Sequence, residues 1–194
     1  PDSPGVIRTL RTALTASGWD TLSIQMPIPS MEYTETDHAS LVQEASPRIT
    51  AAVNFLSEKK LANQAIIAQD FNAAMAAGFL EQAEKSTVDA FVMISLDGTR
   101  QPVIQSLSNI KQPVLDLYGS RDRMPVVQSS SDRKRAIVQK AENPSFRQIA
   151  LEGADHLYTG MGQSVLSLVR GWLKKNAAGA SQNLDDPNME TIKR

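Results

Sequence analysis

Two carboxylates and an imidazole stand at corresponding places in this sequence. They are Asp70 in Ala68-Gln69-Asp70-Phe71-Asn72, Asp122 in Tyr118-Gly119-Ser120-Arg121-Asp122, and His156 in Gly153-Ala154-Asp155-His156. Each directly follows an apolar run of strand length. In an open parallel sheet, ligands collect beyond the C-terminal strand ends, so these three side chains are the ones placed to meet a substrate. Their chemistry would be complementary. A carboxylate at position 70 could attack carbon and form an ester, the imidazole at 156 could activate the water that cleaves it, and the carboxylate at 122 could hold the imidazole in one tautomer. Each residue also has a simpler reading. Asp70 could cap the helix that follows it, Asp122 could be an exposed loop acid beside Arg121 and Arg123, and His156 could make turn contacts with Asp155 and Tyr158.

The elements that must position these residues are read from apolar periodicity. Residues 64–78 (QAIIAQDFNAAMAAG) predict a short buried strand over 65–68, a tight turn over 69–72, and a helix so rich in Ala that it must lie close against a sheet. Strand, sharp turn and tightly packed helix make a nucleophile elbow, which lifts one side chain, here Asp70, above the sheet edge at a helix N-terminus. Upstream, Ser3-Pro4 with Val6, Ile7, Leu10 and Leu14 predicts a capped amphipathic helix stopped at Gly18. Residues 19–26 (WDTLSIQM) predict a strand, and 37–59 a helix with a kink or restart at Pro47. Downstream, strands are expected at 88–96, 113–118 and 146–151. Amphipathic helices are expected around Val103 to Leu107, over 132–142, and around Val165 to Trp172.

The alternation of fully apolar strands with helices predicts an α/β domain with a mainly parallel sheet of about five strands and helices on both faces. That domain is expected over residues 1–176. Residues 177–194, nearly devoid of large apolar side chains, are expected to be a disordered tail.

Composition narrows the function classes. The 194 residues contain no cysteine, which removes thiol catalysis, thiolate-bound zinc and disulfides. Twenty basic against twenty-one acidic residues leave no field to draw nucleic acid or an anionic membrane. No apolar run reaches the roughly twenty residues of a membrane span. No glycine-rich phosphate loop follows a strand, which speaks against a nucleotide-binding domain and leaves no cofactor or metal to expect. Ser120 and the Ser129-Ser130-Ser131 run stand on no elbow. His38, in a polar helix start, and the basic residues between Arg133 and Lys140 are expected at the solvated surface.

The segments IIAQDFNAAMA, VLDLYGSRDRMPV and ALEGADHLYTG resemble the elbow, acid loop and histidine loop of the α/β-hydrolase fold. The opening PDSPGVIRTLRTALTASGWDTLSIQMP is similar to the first helix and following strand of an uncharacterised bacterial branch of that superfamily, and the likeness runs to about Lys175. The resemblance implies a catalytic set of Asp70, Asp122 and His156, with the amide of Phe71 as one oxyanion-hole donor. It departs from the common pattern in having Asp70 where a serine nucleophile stands. That feature matches dehalogenases and epoxide hydrolases, although the helical cap of those enzymes is replaced by a short connection. The strand and His-Gly loop that supply the second oxyanion donor would precede Pro1, so the natural protein is expected to carry more residues there. Export to the cell envelope is an expectation taken from the resemblance. Two functions follow: a domain of little or no catalytic power that binds a small molecule or a partner in the inherited cleft, or a hydrolase of an ester, epoxide or haloalkane.

Overall fold

The computed structural model describes residues 5–30, 34, 37–84, 87–141, 143 and 145–177. Four parallel strands form one sheet in the order β1-β2-β3-β4: β1 Ala65–Gln69, β2 Ala90–Ile94, β3 Val114–Arg121 and β4 Phe146–Asp155. All five residues of β2 are inaccessible to solvent, as an interior strand covered on both faces requires. On one face lie α2 (Asp37–Glu58), α3 (Phe71–Gln82) and α4 (Gln101–Leu107), closing a core around Ala77, Leu80, Phe91 and Met93. On the other lie α1 (Val6–Ala13) and α7 (Gly162–Asn176), closing a core around Leu10, Val92, Leu117 and Trp172. The two short helices α5 (Met124–Gln128) and α6 (Ser130–Arg135), with a π turn over Ala136–Lys140, bridge β3 to β4. At about 2 kcal/mol for each fully buried large apolar side chain, these two cores are what hold the layers together.

Several expected elements form as read. Helix α1 continues through a 3-10 turn, Leu14–Ser17, and stops at Gly18, whose φ of 80° is the left-handed conformation glycine accepts without strain. Residues 73–80 of α3 are all buried, because this helix is sandwiched between the sheet and α2. At Gly78 a Cβ would fall 2.4 Å from Val42 Cγ2, so the close approach of α2 to α3 needs glycine there.

Other expectations are corrected. The sheet has four strands among the described residues, because residues 19–26 pair with no ladder. Ile24 and Met26 of this segment pack on the α2–α3 side and Trp19 on the α1–α7 side, while Leu22 is exposed. Hydrogen bonds from Thr21 Oγ1 to Arg11 O (2.9 Å) and from Arg48 Nη1 to Gln25 O (2.8 Å) tether the segment instead. Helix α2 neither stops nor restarts at Pro47, although proline cannot donate within it. His38, expected in solvent, is buried at 4% exposure. Burial lowers its pKa below the usual histidine value, the positive charge of Arg100 adds to this, and Glu81 opposes it. Arg133, expected on a solvated face, is fully buried, with its Nε 2.9 Å from Asp116 Oδ2. Of the tail expected over 177–194, Ala177 is buried against the α7 core and the rest lies outside the described residues, as does the Ser3-Pro4 cap.

Candidate functional site

The elbow is tighter than the sequence suggests. Strand β1 ends at Gln69 and helix α3 begins at Phe71, so Asp70 alone makes the turn. It has φ 59° and ψ −131°, a backbone region open in practice to glycine and strained for any residue with a Cβ. Its N–H donates to Ile94 O on β2 (2.9 Å), and its carbonyl accepts from Ala73 and Ala74, which closes the first turn of α3. The Asp70 side chain makes no capping hydrogen bond. The simple cap reading is therefore corrected: main-chain geometry turns the carboxylate out of the helix, toward the ends of β3 and β4.

There it meets the other two residues singled out by the sequence. Asp122 follows β3, with its side chain wholly buried, and His156 follows β4. Asp122 Oδ1 lies 2.7 Å from His156 Nδ1, and His156 Nε2 lies 3.6 Å from Asp70 Oδ2. Since a carboxylate only accepts, the hydrogen in the first contact belongs to Nδ1 of the imidazole. The His156 loop is further held by Gln69 Nε2, which donates to His156 O (3.1 Å). Asp155 rather than His156 makes the turn contacts, accepting from Leu157 and Thr159 amides. Those bonds, the Thr159 amide first, lower the pKa of the exposed Asp155 carboxyl.

Close strand packing brings the two loops together. A Cβ on Gly119 would fall 2.2 Å from Ala154 O, so β3 and β4 can approach as they do only with glycine there. The register shifts between Gly119 and Arg121, an irregularity that re-aims the chain just before Asp122. Below, the buried Arg133 ties α5 and α6 to β3. Besides Asp116, its Nη1 reaches Val126 O (2.7 Å) and Ser129 Oγ (2.9 Å), and its guanidinium stacks over Tyr118 at 5.3 Å.

Four residues of the site were not singled out as such in the sequence. Ser95, after β2, has φ 52° and is fully buried; its hydroxyl donates to Asp122 Oδ2 in a very short contact and also meets Tyr158 OH at 3.0 Å. Tyr158, φ 56°, is buried, donates to Leu117 O, and has its pKa raised by burial. Gln69 is the third. The fourth, Arg123, dominates the cleft: its Nη2 is 2.5 Å from Asp70 Oδ2 and also contacts His156 Nε2. With Nδ1 as donor to Asp122, Nε2 carries the lone pair, so the guanidinium donates to it. Arg123 thus stands between the elbow carboxylate and the histidine.

Phe71 opens α3 with its ring beneath the Arg100 guanidinium at 5.8 Å, and Arg100 is paired with Asp97 at 2.9 Å. Asp70, Phe71, Asp97 and Arg100 line a small recess beside the elbow. A roomier cleft of about 410 Å³ lies elsewhere, between α4 and α6, lined by Gly98, Gln101, Ser129 and Arg135. The elbow is the candidate site rather than the roomier cleft because, among the described residues, it brings together acids, an oriented imidazole and a helix start. Among the described residues no three His, Asp or Glu side chains are grouped as metal ligands, and no helix is long and apolar enough to cross a membrane.

A parallel sheet with helices on both faces, an elbow after one strand, and an acid and a histidine after later strands define the α/β-hydrolase fold, and solved structures agree. Dienelactone hydrolase from Anabaena variabilis superposes with a TM-score of 0.71 at 20% identity, covering 91% of this chain and 81% of that one. The esterase Pf2001 of Pyrococcus furiosus gives 0.71 at 16% identity, with 91% and 78% covered. A predicted CIB-like hydrolase from Thermoplasma acidophilum gives 0.55 at 16% identity over 69% of this chain, which spans 60% of that protein's length. The chain belongs to the family described as "Protein of unknown function (DUF3530)", which it matches over residues 29–175. No curated protein matches the sequence.

Proposed function

We propose that this chain is a ligand-binding member of the α/β-hydrolase fold that does not turn over substrate, with its cleft closed by Arg123. The observation that carries this reading is the placement of one guanidinium nitrogen between Asp70 Oδ2 and His156 Nε2. A nucleophilic carboxylate needs an oxygen free to meet carbon, and a general base needs its lone pair for the proton of water. Here the same cation engages the lone pair of His156 Nε2 and, of the two oxygens of Asp70, Oδ2. The role of Asp70 is then to hold the cleft's floor as a fixed acceptor, with His156, oriented by Asp122 and Ser95, as the second. The test is an assay of the purified chain against 4-nitrophenyl acetate, styrene oxide and 1-bromobutane, where no rate above background is expected. Robust turnover that disappears in both Asp70→Asn and His156→Gln would overturn the reading.

A second reading, a hydrolase with an Asp70–His156–Asp122 set, is favoured by the strained, non-capping elbow and the 3.6 Å approach of His156 to Asp70. Asp70 would attack an alkyl carbon and expel halide or open an epoxide. Water deprotonated by His156 would then attack the ester carbonyl, and the Phe71 amide at the helix start would face the developing oxyanion. This reading requires Arg123 to leave.

A further inference from the structure

We propose that the gap between Asp70 and His156 is a binding site for a small organic cation, a guanidinium or primary ammonium on an apolar stem, and that Arg123 is its built-in competitor. This rests on the ligand-binding reading above and names the ligand's chemistry. The site's two acceptors, Asp70 Oδ2 and His156 Nε2, are 3.6 Å apart, and the group between them is already a guanidinium nitrogen donating to both. Both acceptors stand on fixed main chain: that of Asp70 is held by its backbone bond to Ile94 O and by the elbow, and that of His156 by Gln69 through its carbonyl, while Asp122 orients the imidazole through Nδ1. Asp122 in turn is held by the Ser95 hydroxyl and the Arg123 amide.

The occupant is much less fixed than the seat. The Arg123 side chain is 49% exposed, and of its guanidinium nitrogens only Nη2 has a partner among the described residues. Rotating it into solvent forfeits a half-exposed ion pair and little packing. Once it leaves, the Asp70 carboxylate is left without its ion-pair partner, so the vacated seat favours a positive charge. Phe71, Ala74, Leu96 and Val103 line the recess beside Asp70, offering apolar surface to a ligand stem.

Because Arg123 holds the seat intramolecularly, a free ligand binds only the fraction of molecules in which it is displaced, and its apparent affinity falls by that fraction. Deleting the side chain should therefore strengthen binding. The experiment is calorimetric titration of agmatine into the full chain, Arg123→Ala, and Arg123→Ala/Asp70→Asn, each checked for folding by circular dichroism, with sodium hexanoate as the anionic probe. We expect agmatine to bind Arg123→Ala about tenfold more tightly than the parent, corresponding to a seat closed roughly nine-tenths of the time. Binding should be lost in the double variant, and hexanoate should not bind. Agmatine affinity unchanged or weakened by Arg123→Ala would overturn the inference, as would hexanoate binding that depends on Arg123, which would make the residue an anion receptor. If Arg123→Ala instead hydrolyses 4-nitrophenyl acetate, the ligand-binding reading itself fails, an outcome read from a separate assay.

Discussion

Asp70 carries a structural cost that no capping hydrogen bond offsets. A residue with a Cβ held at φ 59°, ψ −131° costs about 1–3 kcal/mol. The ion pair it makes with Arg123 joins side chains 28% and 49% exposed, so it returns less than about 1 kcal/mol. Asp70→Gly should therefore stabilise the fold by about 1 kcal/mol after allowing for glycine's chain entropy, raising Tm by roughly 3 °C. A thermal melt checks this, and a fall in Tm would mean that the elbow is not strained. At this scale the sequence was partly legible: Asp70, Asp122 and His156 could be picked out because each follows a strand. Ser95, Tyr158 and Arg123 could not, because the positive φ of the first two and the reach of Arg123 across to β1 depend on strands distant in sequence.

At the scale of elements, the site depends on how β3 is anchored. The Asp116–Arg133 pair, with both side chains at 0% exposure, fastens α5 and α6 beneath the strand that ends in Asp122. Removing one partner strands a buried charge, so Arg133→Met should cost about 3–5 kcal/mol, whereas Asp116→Leu/Arg133→Met should recover most of it. Urea unfolding of the three proteins checks this, and a double variant no better than the single would show that the pair itself is needed. Helix α2 brings a second buried group, His38. Its folded pKa lies below 6.5, so on acidification the unfolded chain takes up a proton that the folded chain resists. The contribution is intact above that pH and is lost progressively as pH falls toward the folded value. Tm should drop between pH 7 and pH 5 in the parent and drop less in His38→Phe. Equal slopes would contradict the assignment. The sequence misread both residues for one reason: a charged or polar side chain in a helical pattern reads as surface unless its partner, here on the sheet or a neighbouring helix, is known.

At the scale of the whole molecule, the layered parallel architecture was legible because fully apolar strands alternate with amphipathic helices, and that pattern has few solutions. The strand expected over 19–26 did not form because alternation states only that a segment is half-buried. A ladder also needs a neighbour, and among the described residues none lies alongside. The same limit applies to function, since the fold accommodates catalysts and binders alike. What separates the two readings is whether Asp70 ever bonds to carbon. The direct measurement is intact-protein and peptide mass spectrometry of His156→Gln after incubation with 1-bromobutane and styrene oxide. In a hydrolase of this design that variant can form the Asp70 ester but lacks the base that clears it. The present account predicts an unmodified mass, with Asp70 retained as the carboxylate that seats Arg123. A butyl or hydroxy-phenethyl increment on the peptide containing Asp70 would contradict it and make Asp70 a nucleophile.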